Sequence, residues 1–250
     1  MGDVDQQTRR RMGKVGLTAY DKEKAWKGYT FYAPPWSTTA YLLDAEGNEV
    51  FTWSLPYEPG HYGYLLPNNN LFLIGKVPDD GNWDLFPDWS IWKGGALLEI
   101  DPSGKVVWDY RDANSHHDAR RTDSGGAIYI AVERMPAQIA KRVKGGFPVP
   151  SDMFADVYIE VDSSGKRVWE WHASEHLDTE RYELPPNIPR TEWTHGNTIV
   201  PIGEDLVMIS MRHVSLVALI DKKTGAFIWE LGDELLAGQH DGDKNITDIA

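Results

Sequence analysis

The sequence contains no cysteine in 250 residues. That absence removes disulfides, thiolate metal sites and cysteine nucleophiles together. It does not identify a compartment, because proteins on either side of a membrane can lack cysteine. Long apolar runs are missing as well. Nothing approaches the roughly 18 consecutive apolar residues of a membrane-spanning helix, and the opening MGDVDQQTRRRMGK has no apolar core of the kind an export signal carries. On that ground alone the expectation is a cytoplasmic protein that does not engage a membrane. Positive charge is also in deficit, with 25 Lys and Arg against 38 Asp and Glu, a net charge of −13 and a sequence pI near 5.0. A polyanion needs a concentrated basic surface, so nucleic acid is not an expected partner. The cluster RRRM at 9–12 reads as a hydrated tail.

What the chain has instead is aromatic residues and turn formers: 11 Trp, 11 Tyr, 23 Gly and 15 Pro. Short β-branched runs between turn clusters point to an all-β protein. Four segments share one pattern: YLLDAEGNEVFTW (41–53), LLEIDPSGKVVWDY (97–110), VYIEVDSSGKRVWEW (157–171) and VALIDKKTGAFIWEL (217–231). Each reads as strand, Asp-x-x-Gly turn, strand ending near Trp, with Asp bonding the turn backbone and Gly taking positive φ. The turn glycines Gly47, Gly104, Gly165 and Gly225 stand 57, 61 and 60 residues apart, a period that signals radial repetition.

A second hairpin follows each of the first three, in HYGYLLPNNNLFLIG, HDARRTDSGGAIYIAV and HGNTIVPIGEDLVMIS. Two hairpins per repeat make the four-stranded blade of a β-propeller, whose innermost strand lines the axis. The expected layout is an N-terminal extension over 1–28 and a propeller over 29–250, with Trp53, Trp108, Trp169 and Trp229 packing between blades. The insert 76–95 and the stretch 134–154 read as long surface loops, the second with one helical turn around 137–143.

His61, His117 and His195 each precede a turn residue, Pro67, Asp123 or Pro201, by six positions. They share one place, the start of the innermost strand. His240 in GQHDGD is expected, by its distance from Trp229, to open the next such strand. Strand alternation turns His117 inward and leaves His116 supportive or exposed. Arg212, at the end of LVMISMR, returns to the same face near His195, where Lys76 and Glu133 hold the comparable positions. Converging imidazoles serve two chemistries: a metal site with an open position, or an anion site doing group transfer, in which one imidazole attacks and Arg212 grips oxyanions. A cation beside a metal is unfavourable, so arginine favours the second.

The motifs HHD, WTHGN, ISMRH and GQHD, in that order between D-x-x-G-x-x-x-W hairpins, resemble the bacterial arylsulfotransferases over residues 40–242. The resemblance implies a six-bladed propeller, of which about four blades are evident here, so the ring reads as incomplete or smaller. It implies sulfuryl transfer from a phenolic sulfate ester to a phenol through a sulfohistidine, with no cofactor and no metal. It further implies His240 as nucleophile, His117 as general acid/base, and His195 with Arg212 binding the sulfate. Asn197, His61 and His116 complete the expected substrate-binding set, and aromatic residues of 82–92 are candidates to stack on an aryl ring. The family also suggests a periplasmic location. The other readings carried forward are a histidine-metal propeller oxygenase or lyase and a non-catalytic binding platform. A quinone-cofactor dehydrogenase is suggested weakly by DKKTGAFIWELG.

Overall fold

The computed structural model describes residues 16–78, 85–86 and 88–232. Its first sheet has three antiparallel strands, β1 (Thr30–Tyr32), β2 (Thr39–Leu43) and β3 (Glu49–Ser54). The second has four: β4 (Glu58–Leu65), β5 (Leu71–Lys76), β6 (Gly95–Ile100) and β7 (Val106–Arg111). In the third, β8 (Ser115–Arg121) and β9 (Ala127–Arg134) are followed by the short β10 (Gly145–Phe147), then β11 (Phe154–Val161) and β12 (Arg167–His172). The order in this sheet is β8-β9-β11-β12, while β10 pairs in parallel with β13 (Leu184–Pro189) at the side. The fourth sheet is β14 (Gly196–Ile202), β15 (Leu206–Met211), β16 (Leu216–Asp221) and β17 (Phe227–Leu231). The described residues thus form three complete blades and one three-stranded sheet.

Turn chemistry builds the hairpins as the sequence specifies. Asp44, Asp101, Asp162 and Asp221 each accept backbone N–H bonds across their own turns, among them those of Asn48, Ser103, Ser164 and Lys223. Gly47, Gly104, Gly165 and Gly225 hold φ of 84°, 87°, 84° and 72°, the left-handed region that a side chain resists.

Both faces of β5 and β9 are covered, which is why LFLI and AIYIAV run apolar without alternation, whereas β15 alternates buried and half-buried residues. Leu71 and Leu73 face the first sheet beside Trp53 and Ala40. Phe72 and Ile74 face the third sheet beside Tyr129 and Ala131. Ile128 and Ile130 then meet Ile199, Val207 and Ile209 of the fourth. Each such buried side chain is worth about 1.5–3 kcal/mol of transfer free energy.

Trp53, Trp108 and Trp169 pack between sheets as expected, and two of them also bond there; Trp229 is half-buried in the last strand of the fourth sheet. Trp108 Nε1 donates to Ser163 O at 3.4 Å and Trp169 Nε1 to Lys222 O at 2.9 Å, each reaching the hairpin turn of the next blade. The expected helical turn in 134–154 is present at Ala137–Ala140. The insert 76–95 carries a second one, Trp89–Trp92.

Candidate active site

His61 and His117 lie in β4 and β8 where the pairing with the next strand slips out of register, and His195 stands immediately before β14, just ahead of the slip between Gly196 and Thr198. All three hold left-handed backbone, with φ of 94°, 49° and 53°. Histidine is among the few residues enriched there, and the strain of about 1–3 kcal/mol per residue persists only when the surroundings enforce it. At His61 and His117 the bulge re-aims the side chain, and at His195 the left-handed turn into β14 does so. Three imidazoles from three successive sheets thereby meet in one cluster. The His61 and His117 rings lie 4.9 Å apart at 19°, and His195 meets His117 at 4.9 Å, edge on.

The same backbone overturns the alternation argument for His116. At His117 the strand leaves its pleat, so the two neighbouring rings meet instead of facing apart. His116 Nδ1 lies 2.7 Å from His117 Nδ1. His116 is 1% exposed, so it backs His117 and is not exposed. Its Nε2 stands 3.0 Å from Asp156 Oδ1 in the third strand of the blade, with the N–H off line for a well-formed hydrogen bond.

A second carboxylate stands behind His195. Glu192 Oε2 lies 2.6 Å from His195 Nδ1, leaving Nε2 as the nitrogen available for other partners. His213 Nδ1 donates to the Glu192 carbonyl at 3.1 Å, and its ring lies 4.6 Å from His195. Glu192, His195 and His213 offer one ligand atom each within 4.8 Å of one another. The close Glu192 to His195 contact is that of a hydrogen-bonded pair, which a cation would have to split. Nor does the ring of repeat histidines suit a metal, since face-to-face rings such as His61 and His117 cannot both aim a lone pair at a shared point.

Charge follows burial. Burial, then His116, His195, His61 and Arg212, hold the His117 imidazolium down to about 2, so His117 is neutral at pH 7. His195 and His213 are lowered mainly by burial. Glu192 is pushed up to about 7 by burial and by Asp156. For Asp156, burial works upward, but the close contact and charge of His116, with Thr194 beside it, outweigh it, and the carboxyl stays below its usual range.

Arg212 is exposed, donates its backbone N–H to His195 O at 2.9 Å, and forms no ion pair among the described residues. Its positive charge bears on His117, His195 and Glu192. Lys76 and His61 line one cavity of about 880 Å³ together with Trp36, Tyr57, Pro59 and Ile91. Glu133 is engaged elsewhere, 2.8 Å from His172 Nδ1. Asn197 is the extra residue of the β14 bulge and is exposed, without a side-chain hydrogen bond among the described residues. His240 lies outside the described residues.

The insert covers this cluster with aromatic rings. Trp92 stacks on His117 at 5.6 Å and meets His195 edge on at 5.0 Å, while Trp89 packs on His116 at 5.5 Å. Sequence reasoning missed Asp156, Glu192 and His213, which lie off the repeat position. The available signal was the place of Glu192 next to WTHGN and of His213 within ISMRH; Asp156 had none.

The sheets and the histidine stack define a propeller-type enzyme scaffold with a polar site at the inner strands. A model of the family Arylsulfotransferase (ASST) matches residues 36–244, and the chain belongs to that family, which makes it arylsulfotransferase-like. No curated protein matches it. Solved structures similar to it include hydrazine synthase from Kuenenia stuttgartiensis, at 14% identity, covering 84% of this chain and 50% of that one, TM-score 0.47. A protein of unknown function from Bacteroides caccae is 10% identical over 83% and 58% of the two chains, TM-score 0.44. The Cps50 (Swd1) β-propeller domain of Myceliophteria thermophila is 9% identical over 86% and 53%, TM-score 0.45. This chain therefore spans between half and three fifths of each of these structures.

Proposed function

We propose that this protein transfers a sulfuryl group from a phenolic sulfate ester to a phenol through a sulfohistidine on His240. The observation that carries the reading is the stack of His61, His117 and His195, held on left-handed backbone from three successive sheets with Arg212 bonded to its edge. A sulfuryl group spreads its charge over three oxygens, and a fixed guanidinium and ring N–H groups stabilise that charge most as the bond to the leaving oxygen loosens. When Glu192, whose carboxyl is pushed up to about 7, is protonated it donates to Nδ1 of neutral His195, and Nε2 then carries the hydrogen that is donated to such an oxygen. His117 is neutral at pH 7 and accepts the phenol proton as the acceptor oxygen attacks. Aryl rings fit the cavity walled by Trp36, Tyr57 and Ile91 beside His61.

The test is release of nitrophenol from nitrophenyl sulfate by purified protein, with and without phenol. Release that depends on phenol, is abolished in His240→Ala and falls about 100- to 1,000-fold in Arg212→Ala, the usual range for a lost oxyanion donor, supports the reading. Undiminished release in His240→Ala removes the sulfohistidine.

A further inference from the structure

We infer that Asp156, His116 and His117 form one proton-relay chain in which Asp156 is a positioning residue that fixes the tautomer of both histidines and so makes His117 a base toward the acceptor. This rests on the transfer reading for its kinetic consequence, but the chain itself is a statement about hydrogen positions.

The geometry is a line of close contacts. His117 Nδ1 stands 2.7 Å from His116 Nδ1, and His116 Nε2 stands 3.0 Å from Asp156 Oδ1. At 2.7 Å one of the two Nδ1 atoms carries hydrogen and the other a lone pair. A carboxylate at the far end decides which. Oδ1 draws a hydrogen onto His116 Nε2, so a neutral His116 presents a lone pair at Nδ1. His117 then donates from Nδ1 and keeps its own lone pair on Nε2.

Asp156 is built to stay at that post. It is wholly buried, its Oδ2 accepts the Gly196 N–H at 2.6 Å, and its own N–H donates to Thr194 Oγ1 at 2.9 Å. Gly196 is glycine for this reason: a Cβ there would stand 3.0 Å from Asp156 Cγ and 2.8 Å from Tyr158 Oη. Three fully buried polar atoms, His116 Nε2, Asp156 Oδ1 and Tyr158 Oη, have no aligned hydrogen bond. Buried polar atoms left so incur a cost of about 1–3 kcal/mol each, and at 3.0 Å a small ring rotation that turns the His116 N–H onto Oδ1 recovers it. The groups that face Asp156 are His116, Glu192, His195, Thr194 and Tyr158. Those facing His117 are His61, His116, His195 and Arg212, with Trp92 over its ring.

In the transfer step the acceptor O–H bond breaks and its proton goes to His117 Nε2. The oxygen lone pair forms the new S–O bond as the S–N bond of the sulfohistidine breaks, its electron pair returning to that histidine nitrogen. His117 Nδ1 passes its hydrogen to His116 Nδ1, and His116 Nε2 shares its own with Asp156 Oδ1. Atoms and charge balance without any further reactant.

The experiment is ¹⁵N NMR of the histidine rings in the whole wild-type chain and in Asp156→Asn and His116→Asn, with transfer kinetics on the same samples. The chain is supported if wild-type His117 carries hydrogen on Nδ1 and a lone pair on Nε2, and if Asp156→Asn shifts or mixes that tautomer. It is also supported kinetically by a fall in kcat of about 100-fold, in the range that general acid–base catalysis supplies, with KM unchanged and the acid limb of the pH profile moved to lower pH. Hydrogen on His117 Nε2 in the wild type overturns it, as does a tautomer, or a kcat, that Asp156→Asn leaves unchanged. The wild-type spectrum needs no variant to fold. A protein with the expected tautomer and no transfer activity retires the transfer reading and leaves the relay standing.

Discussion

Glu192 and Asp156 are two buried carboxylates with opposite behaviour, and the difference is local. Asp156 receives a backbone N–H and faces His116. Glu192 has His195 alone at hydrogen-bond range for its side chain among the described residues, and it feels the Asp156 charge, so its carboxyl is pushed up to about 7 from 4.5. Between those values the folded chain holds a proton that the unfolded chain has released, so this residue's contribution to stability falls as pH rises from about 4.5 to 7 and is level above. Glu192→Gln mimics the protonated form. Relative to wild type the variant should therefore gain stability between pH 5 and pH 8, by an amount of order 1 kcal/mol, read from urea unfolding at both values. His117 works the other way, because its folded value lies far below 6.5; stability is lost as pH falls below that point. His117→Asn should flatten the acid side of the stability profile. Asn also tolerates left-handed backbone, so at φ 49° it should melt close to wild type, whereas the β-branched His117→Val should cost about 1–3 kcal/mol for adopting that conformation.

The elements show which parts of this site a sequence can display. Hairpins, their period and the shared histidine position were legible, because turn residues and apolar strands act locally and repeat at fixed spacing. The expectation that His116 and His117 face apart failed at one bulge, since alternation holds only while the pleat does. Lys76, Glu133 and Arg212 occupy matching strand ends, but Glu133 is drawn to His172, a contact 39 residues away that no period encodes. Asp156 and Glu192 enter the site from a third strand and from the segment before β14, off the repeated position, so only the folded packing reveals them. One consequence is testable at this scale. Gly196→Ala leaves the WTH motif and every titrating group intact yet drives a methyl against Asp156 and Tyr158. It should lower stability by about 1–3 kcal/mol, the usual cost of overpacking, and reduce transfer at the same time, checked by thermal melting alongside nitrophenol release.

Across the whole molecule, a net charge of −13 opposes the approach of the anionic aryl sulfate that the proposed reaction requires, while Arg212, bonded through its backbone to His195, attracts it. Range decides which effect governs encounter. A single guanidinium at about 5 Å contributes roughly 1 kcal/mol in water. Thirteen charges centred roughly 20 Å away, about the dimension of a chain this long, oppose by roughly 3 kcal/mol before screening. Screening separates the two: the Debye length is about 30 Å at 0.01 M salt and about 8 Å at 0.15 M, so salt removes the distant repulsion first and leaves the local attraction largely in place. For an anionic donor, kcat/KM should therefore rise several-fold between those salt concentrations. A neutral phenol acceptor, which feels neither field as an ion, should show no such trend in its own kcat/KM. In Arg212→Ala the rise with salt should persist from a lower starting value, because the repulsion belongs to the whole chain. A fall in donor kcat/KM with salt in the wild type would mean that the local cation, together with Lys76 across the stack, dominates steering from the first encounter.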